Sequence, residues 1–468
     1  MTDKEILTDL YVKLTGTSPE SITNIKGSGS SRRYYRIEGP RQVIGTVGDN
    51  LKENDAFCEI SYAMRLCDMN APEVLVRSDD GMAYLQTDCG KKSLFDCLDR
   101  MDLLERTMKQ LVEAQYVAGR MVDHRKCYPA QTFDAKSIMW DLNYFKYCFL
   151  KFTGIDFDEA ALEEDFDKMA SRLKYNDRDR IFMLRDFQSR NVLIDDDENI
   201  TFIDFQGGRR GPALYDVASF LWQARAGFTP EQRHHLIDVY LDAVSQYVDI
   251  DRDEAINQLN EYVLLRRLQT LGAYGFRGLF ERKSHFINSI EPALDSLRDS
   301  LYLYADTYPY LTSVLDRMID AYRQKYGYTP TDKLTVIVSS FSYKNGIPED
   351  MSGNGGGFVF DCRGIPNPGR YAEYKQLTGM DAPVIKFLEE HDDVAEFIGE
   401  AEKIVDISVK TYLERGFTSL VVNFGCTGGQ HRSVYCAEQM AKHINQYFNV
   451  DVRLQHREQC VDKLLTAK

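Results

Sequence analysis

One boundary stands out along the chain, at KYGYTPTDK (residues 325–333), where a long helical region gives way to Gly, Thr and Pro and then to the apolar run LTVIVSSF. Before it, helical spacing dominates. After it, the β-branched runs LTVIVSSF, GFVFDC, SLVVNF and VDVRLQ alternate with helical stretches, the pattern of a parallel α/β sheet. The length of 468 residues agrees, since roughly 100–200 residues per domain calls for two or three domains. We therefore expect one domain over residues 1–326 and a second over 333–468.

The first domain divides further. Residues 1 to about 90 read as a helix followed by the short strands RRYYRI, QVIGTVG and MAYLQT, with the helical stretch NDAFCEISYAMRLC among them. Residues 91–326 are mostly helical, interrupted by the strand pair NVLID and ITFIDF. The fold class is thus a bilobal α+β domain followed by an α/β domain with a mostly parallel sheet.

Composition removes several function classes. With 43% hydrophobic and 28% charged residues, disordered and fibrous chains drop out. A formal charge of −15 repels a phosphate polymer, so general nucleic-acid binding is disfavoured and phosphate recognition must come from a shaped pocket. No apolar run reaches the ~18 residues of a membrane span, and the start MTDKEILTDLYVKL mixes acids with apolar residues, so neither membrane insertion nor export is expected. The ten cysteines form no C-x-x-C pair or zinc-spaced cluster, which fits reduced thiols in a cytoplasm.

The segment LRDFQSRNVLIDDDENITFIDFQGG carries the strongest chemical signal. Arg185-Asp186 followed by Asn191 has the R-D-x-x-x-x-N spacing of kinase catalytic loops, and Asp204 stands where a D-F-G-like metal ligand belongs. Asp186 would accept a substrate hydroxyl proton; Asn191 and Asp204 would hold Mg²⁺ against nucleotide phosphates. Upstream, KGSGSSRRYYRI places Gly27 and Gly29 in a turn between strands, which fits a nucleotide-covering loop or a plain hairpin turn. CGKKS at 89–93 lacks the first glycine of a P-loop and is rejected as one.

On SSRRYYRI, LQTDCG, LRDFQSRN, IDFQGGRRGPALYDVASFL and the aromatic WDLNYFKYCFL, residues 1 to about 325 resemble the aminoglycoside phosphotransferase and choline kinase superfamily. Within it they are most similar to the anomeric kinases of N-acetylmuramic acid and N-acetylglucosamine in cell-wall recycling. The resemblance implies a protein-kinase-like bilobal fold, ATP and Mg²⁺ as cofactors, Asp186 as base, Asn191 and Asp204 as metal ligands, and Asp216 as a buried acid supporting the loop. Gln86, Thr87, Asp88 and Cys89 would line the adenine. Two positions depart from the superfamily. Its H-G-D reads Leu184-Arg185-Asp186, and QVIGTVG has no phosphate-gripping lysine, a charge that Arg32 or Arg33 would supply if either is not merely a surface residue. Helical spacing alone explains the aromatic stripe as packing; a sugar platform is the other reading.

In SLVVNFGCTGGQHRSVYCAEQMAKHI a strand runs into a Gly-rich turn and a helix, whose N-terminal amides favour an anion. Glycines 425, 428 and 429 let the backbone approach a ligand, and His431 and Arg432 add donors. Cys426, Gly429, Arg432 and Ser433 also satisfy C-x-x-G-x-x-R-S, the thiolate cup of cysteine phosphatases, without its preceding histidine. With SSFSYKNGIPED, FVFDCRGIPNPGR, LTGMDAPV and VRLQHRE, however, residues 334 to about 458 resemble the C-terminal domain of the RNase adaptor protein RapZ, which binds glucosamine 6-phosphate and small RNAs. That resemblance implies a pocket of Asp361, Arg363, Cys426, Thr427, Gly428, His431 and Arg432, with Ser342 and Lys344 on its rim. The family's basic tail is replaced by LLTAK and its P-loop ATPase domain has no counterpart in this sequence, so an RNA partner is disfavoured.

Together these features lead us to expect an ATP-dependent kinase of an N-acetylated amino sugar whose second domain senses an amino-sugar phosphate and could carry a homo-oligomer contact. An RNA-adaptor or metabolite-sensing regulator with a vestigial kinase domain is the alternative, and a cysteine phosphatase the third reading.

Overall fold

The computed structural model describes residues 2–25, 32–174, 181–223, 225–281, 283–326, 333–348 and 357–465. The chain gathers into two compact units, Met1–Glu281 with Asn288–Tyr322, and Arg282–Ile287 with Arg323–Lys468. Most of the segment where the apolar period changes, residues 327–332, lies outside the described residues.

The first unit opens on the helix Asp3–Thr15. The Thr2 hydroxyl accepts the Glu5 amide and the Glu5 carboxylate accepts the Thr2 amide at 2.7 Å, satisfying N–H groups that helix geometry leaves without partners. Buried Leu7, Leu10 and Tyr11 rest on an antiparallel sheet formed by β1 (Ser21–Ile25), β2 (Arg33–Glu38), β3 (Val43–Val47), β4 (Val74–Arg77) and β5 (Ala83–Thr87), in the order β1-β2-β3-β5-β4. Gly45 makes that approach possible, because a β-carbon there would stand 2.7 Å from Leu7. β1 and β4 are additional to the strands read from sequence; neither alternates buried and exposed positions.

Between β3 and β4 runs the helix Leu51–Leu66, capped by Asn50. Its Phe57 stacks on Tyr84 of β5 at 5.4 Å and on Phe205 at 5.0 Å, with 5° between the latter planes, so this helix is packed onto the residue after Asp204. The helical lobe contains β6 (Lys92–Ser93), β7 (Phe182–Met183), β8 (Val192–Ile194), β9 (Ile200–Phe202) and β10 (Arg209–Arg210), paired as β6-β8-β9 and β7-β10. β8 and β9 are the expected NVLID and ITFIDF strands.

Two helices of this lobe, Ala135–Phe145 and Arg252–Tyr274, cross at backbone contact, and each continues into a wider π-helical turn, Lys146–Leu150 and Gly275–Phe280. Glycine permits the crossing. A β-carbon at Gly272 would lie 2.9 Å from the Phe145 amide nitrogen, and one at Gly275 would collide with the Cys148 carbonyl. Gly275→Ala is accordingly expected to cost about 1–3 kcal/mol as an overpacked contact. Thermal unfolding of that variant checks this, and an unchanged Tm would contradict so close a crossing.

The second unit is a sheet of β11 (Thr335–Ser342), β12 (Phe358–Asp361), β13 (Ser419–Cys426), β14 (Asp451–His456) and β15 (Val461–Leu465), in the order β12-β13-β11-β14-β15. The first four are mutually parallel; β15, not read from sequence, pairs antiparallel with β14. Alternate residues Val336, Val338, Leu420, Val422, Val452 and Leu454 face Val405 and Val409 of the helix Asp392–Glu414 and Met440 and Ile444 of the helix Arg432–Tyr447. Central β13 is buried along its whole length, as a strand between two parallel neighbours is. Among the described residues no helix is long and apolar enough to cross a membrane, and all ten cysteines are free.

Candidate functional site

The loop between β7 and β8 gathers the first constellation. Asp216, fully buried at the start of the helix Leu214–Leu221, accepts the Leu184 amide at 2.8 Å, the Arg185 amide at 2.9 Å and the Gln115 side chain at 2.9 Å. These bonds hold Arg185 at φ 79°, a left-handed conformation that a non-glycine residue adopts only when its surroundings fix it. Arg185 donates to Asp141 and to the Tyr215 hydroxyl, both at 2.6 Å. The superfamily's glycine is thus replaced by a residue whose side chain pins the helix Ala135–Phe145 to the loop.

Asn191 follows in a 3₁₀ turn. Its amide donates to the Asp186 carbonyl at 2.8 Å and approaches Asp204 Oδ2 at 3.3 Å, so Asp186, Asn191 and Asp204 converge. Arg266 Nη2 donates to Asp186 Oδ1 at 3.1 Å and Gln206 to Asp204 Oδ1 at 2.9 Å. The two carboxyls are driven apart. Burial would raise Asp186, yet Arg266, Arg185 and Arg190 outweigh it and hold the pKa below the usual carboxylate value. At Asp204 burial and the charge of Asp186 prevail, and the pKa rises. A half-buried carboxylate raised in this way, beside an amide oxygen, is a hard donor pair suited to Mg²⁺, which ordinarily takes one or two protein ligands and completes its shell with phosphate and water. Among the described residues no cluster of three or more His, Cys, Asp or Glu offers an all-protein metal cage.

Gly27 and Gly29 lie outside the described residues. The two candidate arginines separate. Arg33 reaches outward to Asp3 at 2.6 Å and Asp49 at 3.1 Å, whereas Arg32 is buried, donates to the Glu53 carbonyl at 2.9 Å, lies 3.5 Å from the Glu53 carboxylate and covers the Phe57 ring at 5.5 Å. Arg32 is therefore the one directed inward, and its charge is felt at Asp204. Gln86, one residue before the end of β5, has a buried Oε1 with no partner among the described residues. Thr87 bonds across to Glu73, Asp88 is held by Arg36 at 2.7 Å and Gln42 at 2.8 Å, and Cys89 Sγ sits 3.7 Å from the Thr87 carbonyl.

In the second unit the parallel register aligns strand ends. Ser342 of β11 pairs with Cys426 and Asp361 of β12 with Gly425, so three carboxyl ends meet beside the turn into the helix Arg432–Tyr447, the edge where open α/β sheets bind ligands. Thr427, Gly428, Asp361, Arg363 and Lys344 are exposed there. The Ser342 hydroxyl donates to the Thr427 carbonyl at 2.8 Å and accepts the Lys344 amide at 3.2 Å; Arg363 pairs with Asp361 at 2.6 Å and covers Tyr343 at 4.3 Å. Gly429 adopts φ 65°, and a β-carbon there would stand 2.8 Å from the Ser342 amide nitrogen.

Two residues read as phosphate donors turn inward instead. Arg432 Nη1 donates to the carbonyls of Arg363 at 2.9 Å and Ile365 at 3.0 Å, and His431 Nε2 lies 2.8 Å from the Tyr374 carbonyl. They shape the cup from behind, because carbonyls that end β12 and its loop need donors as much as a ligand does. Cys426 Sγ accepts the Gly429 amide at 3.2 Å and lies 3.1 Å from the Ser433 hydroxyl. Burial would raise the thiol, but Ser433 and the amides of Gly429 and Gln430 hold it below its ordinary pKa.

Residues that sequence reading did not find are Glu53, Asp141 and Arg266. Arg266 carries a signal: it is charged within the wholly buried run Tyr262–Leu268, where a charge needs a partner.

A bilobal unit in which an R-D-x-x-x-x-N loop faces Asp204, followed by a parallel α/β unit, has the features of a phosphotransferase-type domain with a separate C-terminal companion. Residues 21–250 match the phosphotransferase enzyme family and residues 334–460 the RapZ C-terminal domain. The chain thus carries a phosphotransferase-family domain in its first unit and a RapZ C-terminal domain in its second. It is 33% identical over 213 residues to a nucleotide-binding protein of Alteromonas mediterranea, covering 45% of this chain and 69% of that one. A nucleotide-binding protein of Acidobacterium capsulatum is 31% identical over 201 residues, 43% of this chain and 63% of that one; one of Xylella fastidiosa is 38% identical over 134 residues, 29% and 44%. The chain thus spans about half to two thirds of the length of these relatives. Among solved structures, choline kinase of Cryptosporidium parvum covers 67% of this chain and 99% of its own at 15% identity and TM-score 0.46.

Proposed function

We propose that the first unit transfers the γ-phosphoryl group of ATP to the anomeric hydroxyl of an N-acetylated amino sugar, N-acetylglucosamine or N-acetylmuramic acid, and that the second unit binds an amino-sugar phosphate. One observation carries this reading: Asn191 joins the Asp186 carbonyl to the Asp204 carboxylate, setting a base beside a metal-binding carboxylate. Asp186 Oδ1 is engaged by Arg266, which leaves Oδ2 to accept the sugar hydroxyl proton. The new P–O bond forms on the sugar oxygen as the bond from γ-phosphorus to the β–γ bridging oxygen breaks, and ADP leaves. Asn191 and Asp204 would hold Mg²⁺, which when bound neutralises phosphate charge. Arg32, braced by Glu53, adds positive charge beside Asp204, and the orphaned Gln86 Oε1 offers an acceptor to an exocyclic amine such as that of adenine at Gln86–Cys89. Sugar-dependent ADP formation with a panel of N-acetylated sugars tests the assignment; none from any sugar would refute it.

In the second unit Thr427 and Gly428, with Arg363, Asp361 and Lys344 around them, would take the phosphate and amine of glucosamine 6-phosphate. The amide-held Cys426 thiol favours a second reading, a cysteine phosphatase. Cys426→Ser separates them. We expect its affinity for glucosamine 6-phosphate, by calorimetry, to stay within about threefold, since a hydroxyl accepts the same amide. Phosphate release that disappears in this variant would establish the phosphatase instead.

A further inference from the structure

Three guanidinium groups beside the paired carboxyls are already engaged: Arg185 by Asp141 at 2.6 Å, Arg266 by Asp186 at 3.1 Å and Arg32 by Glu53 at 3.5 Å. Arg190 and Arg225 are not. Both are exposed, and neither makes a hydrogen bond or ion pair with a described residue. The loop geometry draws them to one place. Arg190 stands in the 3₁₀ turn Ser189–Asn191. On one side of it, Ser189 gives its amide at 3.1 Å and its hydroxyl at 2.9 Å to the side-chain oxygen of Gln223, two residues before Arg225. On the other, Asn191 reaches the Asp186 carbonyl at 2.8 Å and Asp204 at 3.3 Å.

Tyr274, about two turns beyond Arg266 on the helix Arg252–Tyr274, lies between the two: burial raises its hydroxyl against the opposing charges of Arg190, Arg266 and Arg225. The charge of Arg190 is felt at Asp186 and Asp204 as well. The Asp186 side chain itself is 48% exposed, so the place that an acceptor hydroxyl must reach is open and is edged by uncommitted positive charge. Like charges gathered there repel one another and any cationic acceptor, and an anion between them removes that cost. Arg190, Arg225 and Tyr274 belong to the helical lobe, whereas Arg32 and Gln86, read as nucleotide ligands, come from the small lobe. That division favours the acceptor over the nucleotide as the source of the anion.

We infer that Arg190 and Arg225 bind a carboxylate carried by the phosphoryl acceptor, which makes the acceptor an acidic sugar in preference to a neutral or cationic one. This deepens the kinase reading and rests on it for the role of Asp186. A guanidinium suits the task because its planar array of donors matches the two oxygens of a carboxylate. The full chain is assayed with ATP, Mg²⁺ and N-acetylmuramic acid or its methyl ester, which keeps the frame and loses the charge. kcat/KM for the acid should exceed that for the ester about tenfold or more, and Arg190→Gln and Arg225→Gln should each cut that ratio about three- to tenfold. Any effect of Arg190 on the basicity of Asp186 falls on both acceptors alike and cancels in the ratio. Arg190→Lys keeps the charge and should retain more of the preference than the Gln variant. Calorimetry of the same two sugars without nucleotide should show the same preference in affinity. An acid-to-ester ratio near one, a ratio unchanged in both Gln variants, or no binding of the acid at tens of millimolar would overturn the site. Variants that weaken ATP and leave the ratio intact would overturn it too, assigning the arginines to a nucleotide phosphate. Arginine-dependent binding of the acid without phosphotransfer would end the kinase reading and leave the anion site standing; phosphotransfer to acid and ester alike would do the reverse.

Discussion

Replacing Asp186 with Asn is expected to lower kcat by ~10²–10⁴ while leaving nucleotide affinity within about threefold, the range a general base contributes. The expectation is specific because the substitution preserves the scaffold. An Asn side-chain oxygen can still accept from Arg266, and the backbone carbonyl that receives Asn191 is untouched. What disappears is the basicity of the second oxygen, which Arg266, Arg185 and Arg190 otherwise keep ionised. Loss of Asp204 should act differently, raising the Mg²⁺ requirement and weakening metal-nucleotide binding. Near-normal turnover in Asp186→Asn would remove the base from the mechanism.

Asp216→Ala is expected to destabilise the first unit by on the order of 3–5 kcal/mol, because three donors lose their acceptor in a buried site. Arg185 would then have no bond enforcing its left-handed conformation, so activity should fall with stability. The pH dependence gives an independent check. Burial pushes Asp216 up to about 6 from an ordinary 3.8. The folded state therefore holds this proton more tightly than the unfolded one. The associated stability is fully present below the unfolded value and is lost as pH rises through about 6, a change of roughly 3 kcal/mol. Asp216→Asn should abolish that component, although its amide NH₂ would oppose one of the N–H donors and cost stability at all pH values. Urea unfolding of both proteins from pH 4 to 7 measures the difference; parallel curves would contradict the assignment.

The convergence of Asp186, Asn191 and Asp204 was legible in the sequence because they flank one hairpin, β8–β9, where short spacing brings them together. The parallel sheet was legible for a similar reason, its strands being continuous β-branched runs. Partners that arrive from distant helices were not. Arg266 is 80 residues from Asp186 and Asp141 is 44 from Arg185, and no local pattern encodes those meetings. β1, β4 and β15 escaped because short strands with mixed burial lack a period of two. Arg432 shows the limit of reading a motif: the residue type fitted an anion cup, but the carbonyls of Arg363 and Ile365 claim its guanidinium. For Arg32 and Arg33 only burial distinguished the inward from the outward side chain.

Phosphorus NMR of the full chain with ATP, Mg²⁺ and N-acetylglucosamine or N-acetylmuramic acid decides whether a phosphoryl group reaches an amino sugar through Asp186. A sugar 1-phosphate resonance should grow with ADP and be absent with Asp186→Asn. No sugar phosphate from either sugar, or the same resonance at an undiminished rate in the Asn variant, would contradict it.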